Sequence, residues 1–177
     1  MTTSLLEPSD LDVDHRLKEE ELLTFVCDEQ EYGVDILRVQ EIRGWDNVTR
    51  VPGVPHYVRG VLNLRGTIVP IIDLRRRFGL DPVDYGDTTV IVVLQVKEED
   101  RVRVMGIVVD AVSDVCRMKS DEVQETPDMG ASAATDHIRG MITRDENLII
   151  ILDIDRLLNS PELGGRGEVR DDEGRPS

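Results

Sequence analysis

Two stretches of this chain repeat one another without a gap, and no other feature constrains the fold as much. Val58-Arg59-Gly60-Val61-Leu62 lies over Ile138-Arg139-Gly140-Met141-Ile142 at an offset of 80 residues. The same offset places Ile68-Val69 on Leu148-Ile149, Ile71-Ile72-Asp73 on Ile151-Leu152-Asp153, and Phe78 on Leu158. A second match lies upstream: Gly33-Val34, Ile36, Val39 and Ile42 fall on Gly106-Ile107, Val109, Val112 and Val115 at a constant offset of 73. The difference is extra chain in the second half, placed within Met118 to Ala134, where Pro127 and Gly130 sit among polar residues. Valine and isoleucine make any two strands look alike, but here the Arg-Gly pair and the closing aspartate recur in register and in order. Duplication predicts two similar small β-units rather than one sandwich.

The local signals inside each unit are strand and tight turn. Val58 to Asn63 and Thr67 to Ile72 flank Leu64-Arg65-Gly66, where Gly66 supplies a positive φ. Ile138 to Thr143 and Leu148 to Leu152 flank Arg144-Asp145-Glu146-Asn147 in the same way. Leu22 to Cys27 closes on Asp28-Glu29-Gln30, and Thr89 to Val96 is apolar and β-branched throughout, as a strand buried on both faces requires. Asp73 and Asp153 each stand between a strand and a short apolar-spaced segment. Aspartate there reads as a helix N-cap, because its carboxylate accepts from free first-turn amides. Short strands with glycine corners suit small closed barrels, which hide their edges. Two of them side by side leave a crevice, a natural place for a partner.

Composition narrows the function. The formal charge is −15, from 36 acidic and 21 basic side chains, and the six aromatics are Phe25, Tyr32, Trp45, Tyr57, Phe78 and Tyr85. A nucleic-acid binder needs a basic footprint and stacking platforms, and this chain has neither. Arg75-Arg76-Arg77 reads as the solvated face of a short helix rather than a phosphate site. Cys27 and Cys116 are far apart in apolar segments, as buried small hydrophobes are. His15, His56 and His137 are isolated, without zinc spacing, so no metal and no cofactor are expected. With so many carboxylates, no catalytic pair stands out. The longest apolar runs, Val90 to Leu94 and Leu148 to Leu152, are far short of the roughly 20 residues that span a bilayer. No secretory signal is visible, so the cytosol is the expected compartment. Residues 1–21, with seven acids and two bases, and residues 159–177, rich in Gly, Arg and Asp, read as disordered tails around an ordered domain at 22–158.

The chain resembles the chemotaxis coupling proteins, the CheW family. The resemblance rests on Glu31-Tyr32-Gly33-Val34-Asp35-Ile36-Leu37-Arg38-Val39-Gln40-Glu41-Ile42-Arg43, on Arg59-Gly60-Val61-Leu62-Asn63-Leu64-Arg65-Gly66-Thr67-Ile68-Val69-Pro70-Ile71-Ile72-Asp73-Leu74-Arg75, and on Gly106-Ile107-Val108-Val109-Asp110-Ala111-Val112-Ser113-Asp114-Val115, with the closing block Leu148 to Leu158. It implies a mainly β fold: two similar five-stranded SH3-like barrel subdomains, intertwined, with short helices and an apolar crevice. It implies a non-catalytic adaptor that couples the cytoplasmic tips of methyl-accepting chemoreceptors to the regulatory domain of the histidine kinase CheA, recruited to membrane-associated receptor arrays. An adaptor of a non-flagellar chemosensory pathway is the alternative. Trp45 departs from the pattern, which favours tyrosine there, and the Val96 to Val104 connection is unusually charged.

The resemblance places receptor binding at Val39, Glu41, Gly60, Arg65, Val90, Val115 and Gly140. Val39, Val90 and Val115 are equally readable as ordinary core. Gly60 and Gly140 say more, since a glycine inside a strand marks a bulge or the close approach of another backbone. Glu41 and Arg65 are expected to pair across one face, shaping a surface more than stabilising the fold, because exposed ion pairs contribute little. Kinase binding falls on Val48, Val51 and Ile68, with Trp45 nearby.

Overall fold

The computed structural model of the chain describes residues 18–127 and 137–159. Ten strands form: β1 (Glu19–Cys27), β2 (Gln30–Asp35), β3 (Val39–Gly44), β4 (Val58–Leu64), β5 (Thr67–Asp73), β6 (Val90–Glu98), β7 (Arg101–Val109), β8 (Ala111–Lys119), β9 (Ile138–Arg144) and β10 (Asn147–Leu152). Two short helices come after β5 and β10: α1 (Leu74–Arg77) and α2 (Ile154–Leu158). The ordered chain starts before Leu22, because Glu19, Glu20 and Glu21 already pair with Lys119, Met118 and Arg117. The rest of the two expected tails lies outside the described residues, as do residues 128–134 of the extra segment.

The strands build two five-stranded sheets, β3-β6-β7-β5-β4 and β8-β1-β2-β10-β9. We call them the first and second barrels. Position by position they are the same sheet: β3 answers to β8, β6 to β1, β7 to β2, β5 to β10 and β4 to β9. The repeat is visible in the register. In the single parallel pairing of each barrel, Ile71 stands opposite Gly106 and Ile151 opposite Gly33, equivalent residues at both offsets. The halves are also exchanged. Strands β1 and β2 complete the barrel made by β8 to β10, so the chain crosses between barrels at residues 36–38 and again at Asp110.

Turn chemistry sets the hairpins. Arg65 and Gly66 (φ 52° and 89°), Asp28 and Glu29 (55° and 66°) and Asp145 and Glu146 (52° and 69°) each form a two-residue reversal with both residues left-handed. This geometry matches strand twist. Asn63 Oδ1 holds the first of these by accepting from the Gly66 amide at 2.9 Å. Asp73 and Asp153 cap their helices, accepting from the amides of Arg76 and Arg156, each at 3.2 Å.

Among the described residues, three cores hold the fold together. Ile91, Val93, Val69, Ile71, Leu64 and Val108 fill the first barrel. Leu22, Met118, Ile142, Ile149 and Ile151 fill the second. A larger central core lies between them, with Leu23, Phe25 and Val34 meeting Ile72, Val92, Leu94, Ile107 and Leu157. Strand β6 therefore points Ile91 and Val93 into one core and Val92 and Leu94 into another, and all four are fully buried. Each such side chain contributes roughly 1.5–3 kcal/mol by leaving water. The expected open crevice between the barrels is thus largely closed. Apolar faces on both sides gain more from packing on each other than from standing open to water.

Candidate functional site

Barrel closure explains the two strand glycines. After β3 the chain turns back so that Thr49 and Val61 exchange two backbone hydrogen bonds, each of 2.9 Å, joining the two edges of the first sheet. Gln124 and Met141 do the same for the second barrel, at 2.8 and 2.9 Å. Gly60 and Gly140 lie beside these closures, each next to a β-bulge. A Cβ on Gly60 would overlap the Thr49 carbonyl oxygen, and the residue has φ of 142°. A Cβ on Gly140 would stand 2.5 Å from Val123 Cγ1 and 3.0 Å from the Gln124 oxygen. Both glycines are buried, and the backbone that approaches them is the chain's own.

The mouth of the first barrel is spanned by an ion pair. Arg65, in the β4–β5 turn, donates to Glu41 Oε1 on β3. Arg43 reaches the other oxygen of Glu41 at 3.3 Å. The Arg65 hydrogen bond is the main reason the Glu41 carboxyl is held below its usual 4.5, with Arg43 adding to it. Arg65 itself is largely exposed, so this bridge lies at the surface. The second barrel has a counterpart that the sequence did not announce. Arg144, at the end of β9, donates to Glu122 Oε1 at 2.6 Å. The positions equivalent to Glu41 and Arg65 are Asp114 and Asp145, two acids, so this bridge is built from neighbours instead.

The remaining residues singled out from the sequence are dispersed. Val39 begins β3 and Val90 begins β6. Both are half-buried against the central core. Val115, on β8 opposite Leu23, is 45% exposed. Ile68, beside the hairpin turn, is 59% exposed, Val51 is at the surface, and Val48 is half-buried on the first barrel's core with Trp45. Val48 and Val51 flank Thr49, on the edge formed by β4. Five of the seven expected receptor positions are on the first barrel, and Val115 and Gly140 are on the second.

Asp73 is 2% exposed and accepts from the Tyr85 hydroxyl as well as capping α1. Burial first, and then Asp73, raise the Tyr85 phenol above its usual range. Trp45 packs edge-on against Tyr85 with ring centres 4.3 Å apart. The Cys27 thiol is pushed up to about 12, chiefly by burial, which leaves it inert. A cavity of about 360 Å³ remains at the rim of the central core, lined by Tyr32, Arg77, Phe78, Leu80, His137, Ile138, Ile150 and Leu152. Among the described residues, no group of His, Cys, Asp and Glu is placed to hold a metal, and no helix is long and apolar enough to cross a membrane.

Comparison with known proteins decides the family. The family model for the CheW-like domain matches residues 21–162. The chain belongs to the CheW family. The chemotaxis protein CheW of Klebsiella aerogenes is 44% identical over 144 residues, 81% of this chain and 84% of that protein. CheW of Treponema pallidum is 34% identical over 147 residues, 81% and 84% of the two chains. The crystal structure of the scaffolding protein TtCheW from Thermoanaerobacter tengcongensis superimposes with a TM-score of 0.72 at 27% identity, covering 84% of this chain and 93% of that one. Members of the CheW family are non-catalytic chemotaxis adaptors, and this chain is one of them. The double barrel is the architecture it shares with TtCheW.

Proposed function

We propose that this protein couples methyl-accepting chemoreceptors to the histidine kinase CheA, and so places autophosphorylation of the kinase under receptor control. An adaptor of this kind needs two surfaces that do not compete. The observation that carries the reading is a pair of exposed features on the first barrel. The bridge from Arg65 to Glu41 is one, and the apolar side chains of Ile68 on β5 and Val51 ahead of β4 are the other.

The receptor's helical tip would meet Glu41 and Arg65, with Val39, Val90 and Val115 as apolar contacts and Gly60 and Gly140 holding the closures beneath. Packing of an amphipathic helix onto apolar residues is a recurring recognition mode. The kinase regulatory domain would meet Val48, Val51 and Ile68. Such a protein works in the cytoplasm and joins receptor arrays at the membrane through these partners, without inserting into the bilayer or binding nucleic acid.

The test is titration of the purified protein against the kinase regulatory domain and against a receptor cytoplasmic fragment. Saturable binding to each is expected, and saturable binding to neither sinks the reading. In a reconstituted mixture, receptor and this protein together should change kinase autophosphorylation while this protein turns over no nucleotide.

A further inference from the structure

We infer that Asp155 is a positioning residue, which through Arg38 sets where strand β3 stands and with it the receptor-facing residues Val39 and Glu41. The inference rests on the receptor-coupling reading above.

Arg38 closes the short 3-10 turn Ile36–Arg38, where the chain first crosses from the second barrel to the first. The next residue, Val39, begins β3. The β3–β6 ladder has a bulge there: Val39 faces Leu94, and pairing resumes only at Glu41 opposite Val93. This end of the strand therefore rests on one rung before Glu41. The Arg38 guanidinium supplies what the ladder lacks. It donates to both oxygens of Asp155, at 2.8 and 2.7 Å, and to the Gln95 carbonyl at 3.0 Å. Asp155 Oδ1 also accepts from the Lys97 amide at 2.8 Å. The clasp thus joins the crossover, the far end of β6 and helix α2 at one carboxylate. Both side chains are largely withdrawn from solvent, at 20% and 30% exposure, and a two-point arginine–carboxylate contact fixes orientation as well as distance.

The other half of the molecule holds a second clasp with the charges exchanged. Arg75 on α1 is the repeat equivalent of Asp155, and Asp110 occupies the second crossover. Arg75 Nη2 donates to Asp110 Oδ2 at 3.0 Å and its Nε to Oδ1 at 3.1 Å. Asp110 Oδ2 in turn accepts from the Asp28 amide at 2.9 Å. Each crossover is therefore pinned to the helix of its neighbouring hairpin unit by a two-point ion pair, once as Arg38–Asp155 and once as Asp110–Arg75. The shared element is the pairing: in each clasp the arginine also faces a backbone carbonyl and the aspartate a backbone amide, so the surrounding groups set the polarity. In the first clasp, the pinned crossover leads directly into the strand that carries Val39 and Glu41. The kinase-facing residues Val48 and Val51 are held instead by the Thr49–Val61 closure.

The experiment compares wild type, Asp155→Asn, Arg38→Ala and the double variant R38A/D155N for affinity toward a receptor cytoplasmic fragment and toward the kinase regulatory domain. Asp155→Asn keeps an oxygen for the Lys97 amide but loses the ion pair. It should bind the receptor fragment about tenfold more weakly, the scale on which a residue outside the contact modulates affinity. Its kinase affinity should stay at wild-type level, and amide exchange at Val39 and Glu41 should accelerate. If the two side chains act as one clasp, R38A/D155N should bind the receptor fragment within about twofold of Arg38→Ala alone. Equal losses toward both partners, an unchanged receptor affinity in Asp155→Asn, or additive losses in R38A/D155N overturn the inference. A wild-type protein that fails to bind the receptor fragment overturns the coupling reading itself, whereas wild-type binding with an insensitive Asp155→Asn overturns only the positioning role.

Discussion

Gly60→Ala tests the physical account of barrel closure. The substitution adds one methyl group at a backbone with φ of 142°, where the new carbon would overlap the Thr49 carbonyl oxygen. Holding a non-glycine residue in that region costs ~1–3 kcal/mol. Relieving the overlap means moving Thr49 away from Val61, which loses two hydrogen bonds of 2.9 Å. At ~1 kcal/mol net for each bond, that adds about 2 kcal/mol. The sum, about 3–5 kcal/mol, is a large share of the ~5–15 kcal/mol that keeps a domain folded. For a chain of this size it corresponds to a fall in Tm of about 10 °C. Two other glycines serve as controls. Gly66 has φ of 89° but open space around its Cβ position, so Gly66→Ala bears strain alone, ~1 kcal/mol. Gly44 has neither feature, so Gly44→Ala should be close to neutral. Urea unfolding gives the three free energies, and hydrogen exchange at the Thr49 and Val61 amides shows whether the closure has opened. If Gly60→Ala is no more destabilising than Gly66→Ala, the backbone approach does not limit this site and the argument is refuted.

Glu41→Lys should leave the thermal transition nearly where it is, since the Glu41–Arg65 bridge is at the surface, but should weaken receptor-fragment binding; loss of cooperative folding would show that the bridge holds the barrel together. Asp73→Ala should cost about 2–4 kcal/mol in chemical unfolding, because it removes a helix cap and strands the Tyr85 hydroxyl, whereas Tyr85→Phe should cost only about 1 kcal/mol; equal costs would place the whole effect in the Tyr85 bond. The Asp155 carboxyl is held below its usual 3.8, first by the Arg38 hydrogen bond and then by the Lys97 amide and the nearby charges. A folded-state pKa below the unfolded one adds stability that is fully present above the unfolded value and disappears as the pH falls through the folded value. Stability measured against pH should therefore fall below pH 3.8 in wild type, and Asp155→Asn should flatten part of that acid limb. An acid limb of unchanged slope in the variant would place the proton uptake elsewhere.

Much of this architecture was legible before any coordinate. The offsets of 80 and 73 anticipated equivalent strands, and the pairs Ile71–Gly106 and Ile151–Gly33 realise them together. The turn at Arg65-Gly66, the continuous apolar run of β6 and the aspartates ahead of α1 and α2 are local signals, each written within a few residues of where it acts. The Glu41–Arg65 pairing was within reach because a family pattern carried both residues. Bridges without such a pattern were silent: Arg144 and Glu122 are not the repeat equivalents of Arg65 and Glu41, and Arg38 and Asp155 are 117 residues apart. The repeat relation between Arg75 and Asp155 would have drawn attention to both positions, but not to their partners.

By itself, then, the sequence determined the units: two hairpin-and-helix modules, two sets of flanking strands, their turns and caps, and the family to which they belong. These arise from side-chain periodicity and backbone sterics, which act over short range. Tertiary structure decided how the units were shared out. It paired β2 with β10 and β7 with β5, filled the space between the barrels with a third core, and locked the two crossovers with ion pairs of opposite polarity. Halves of the same strand pattern offer nearly equivalent local pairings. Only the burial and charge of the assembled molecule distinguish one arrangement from the other.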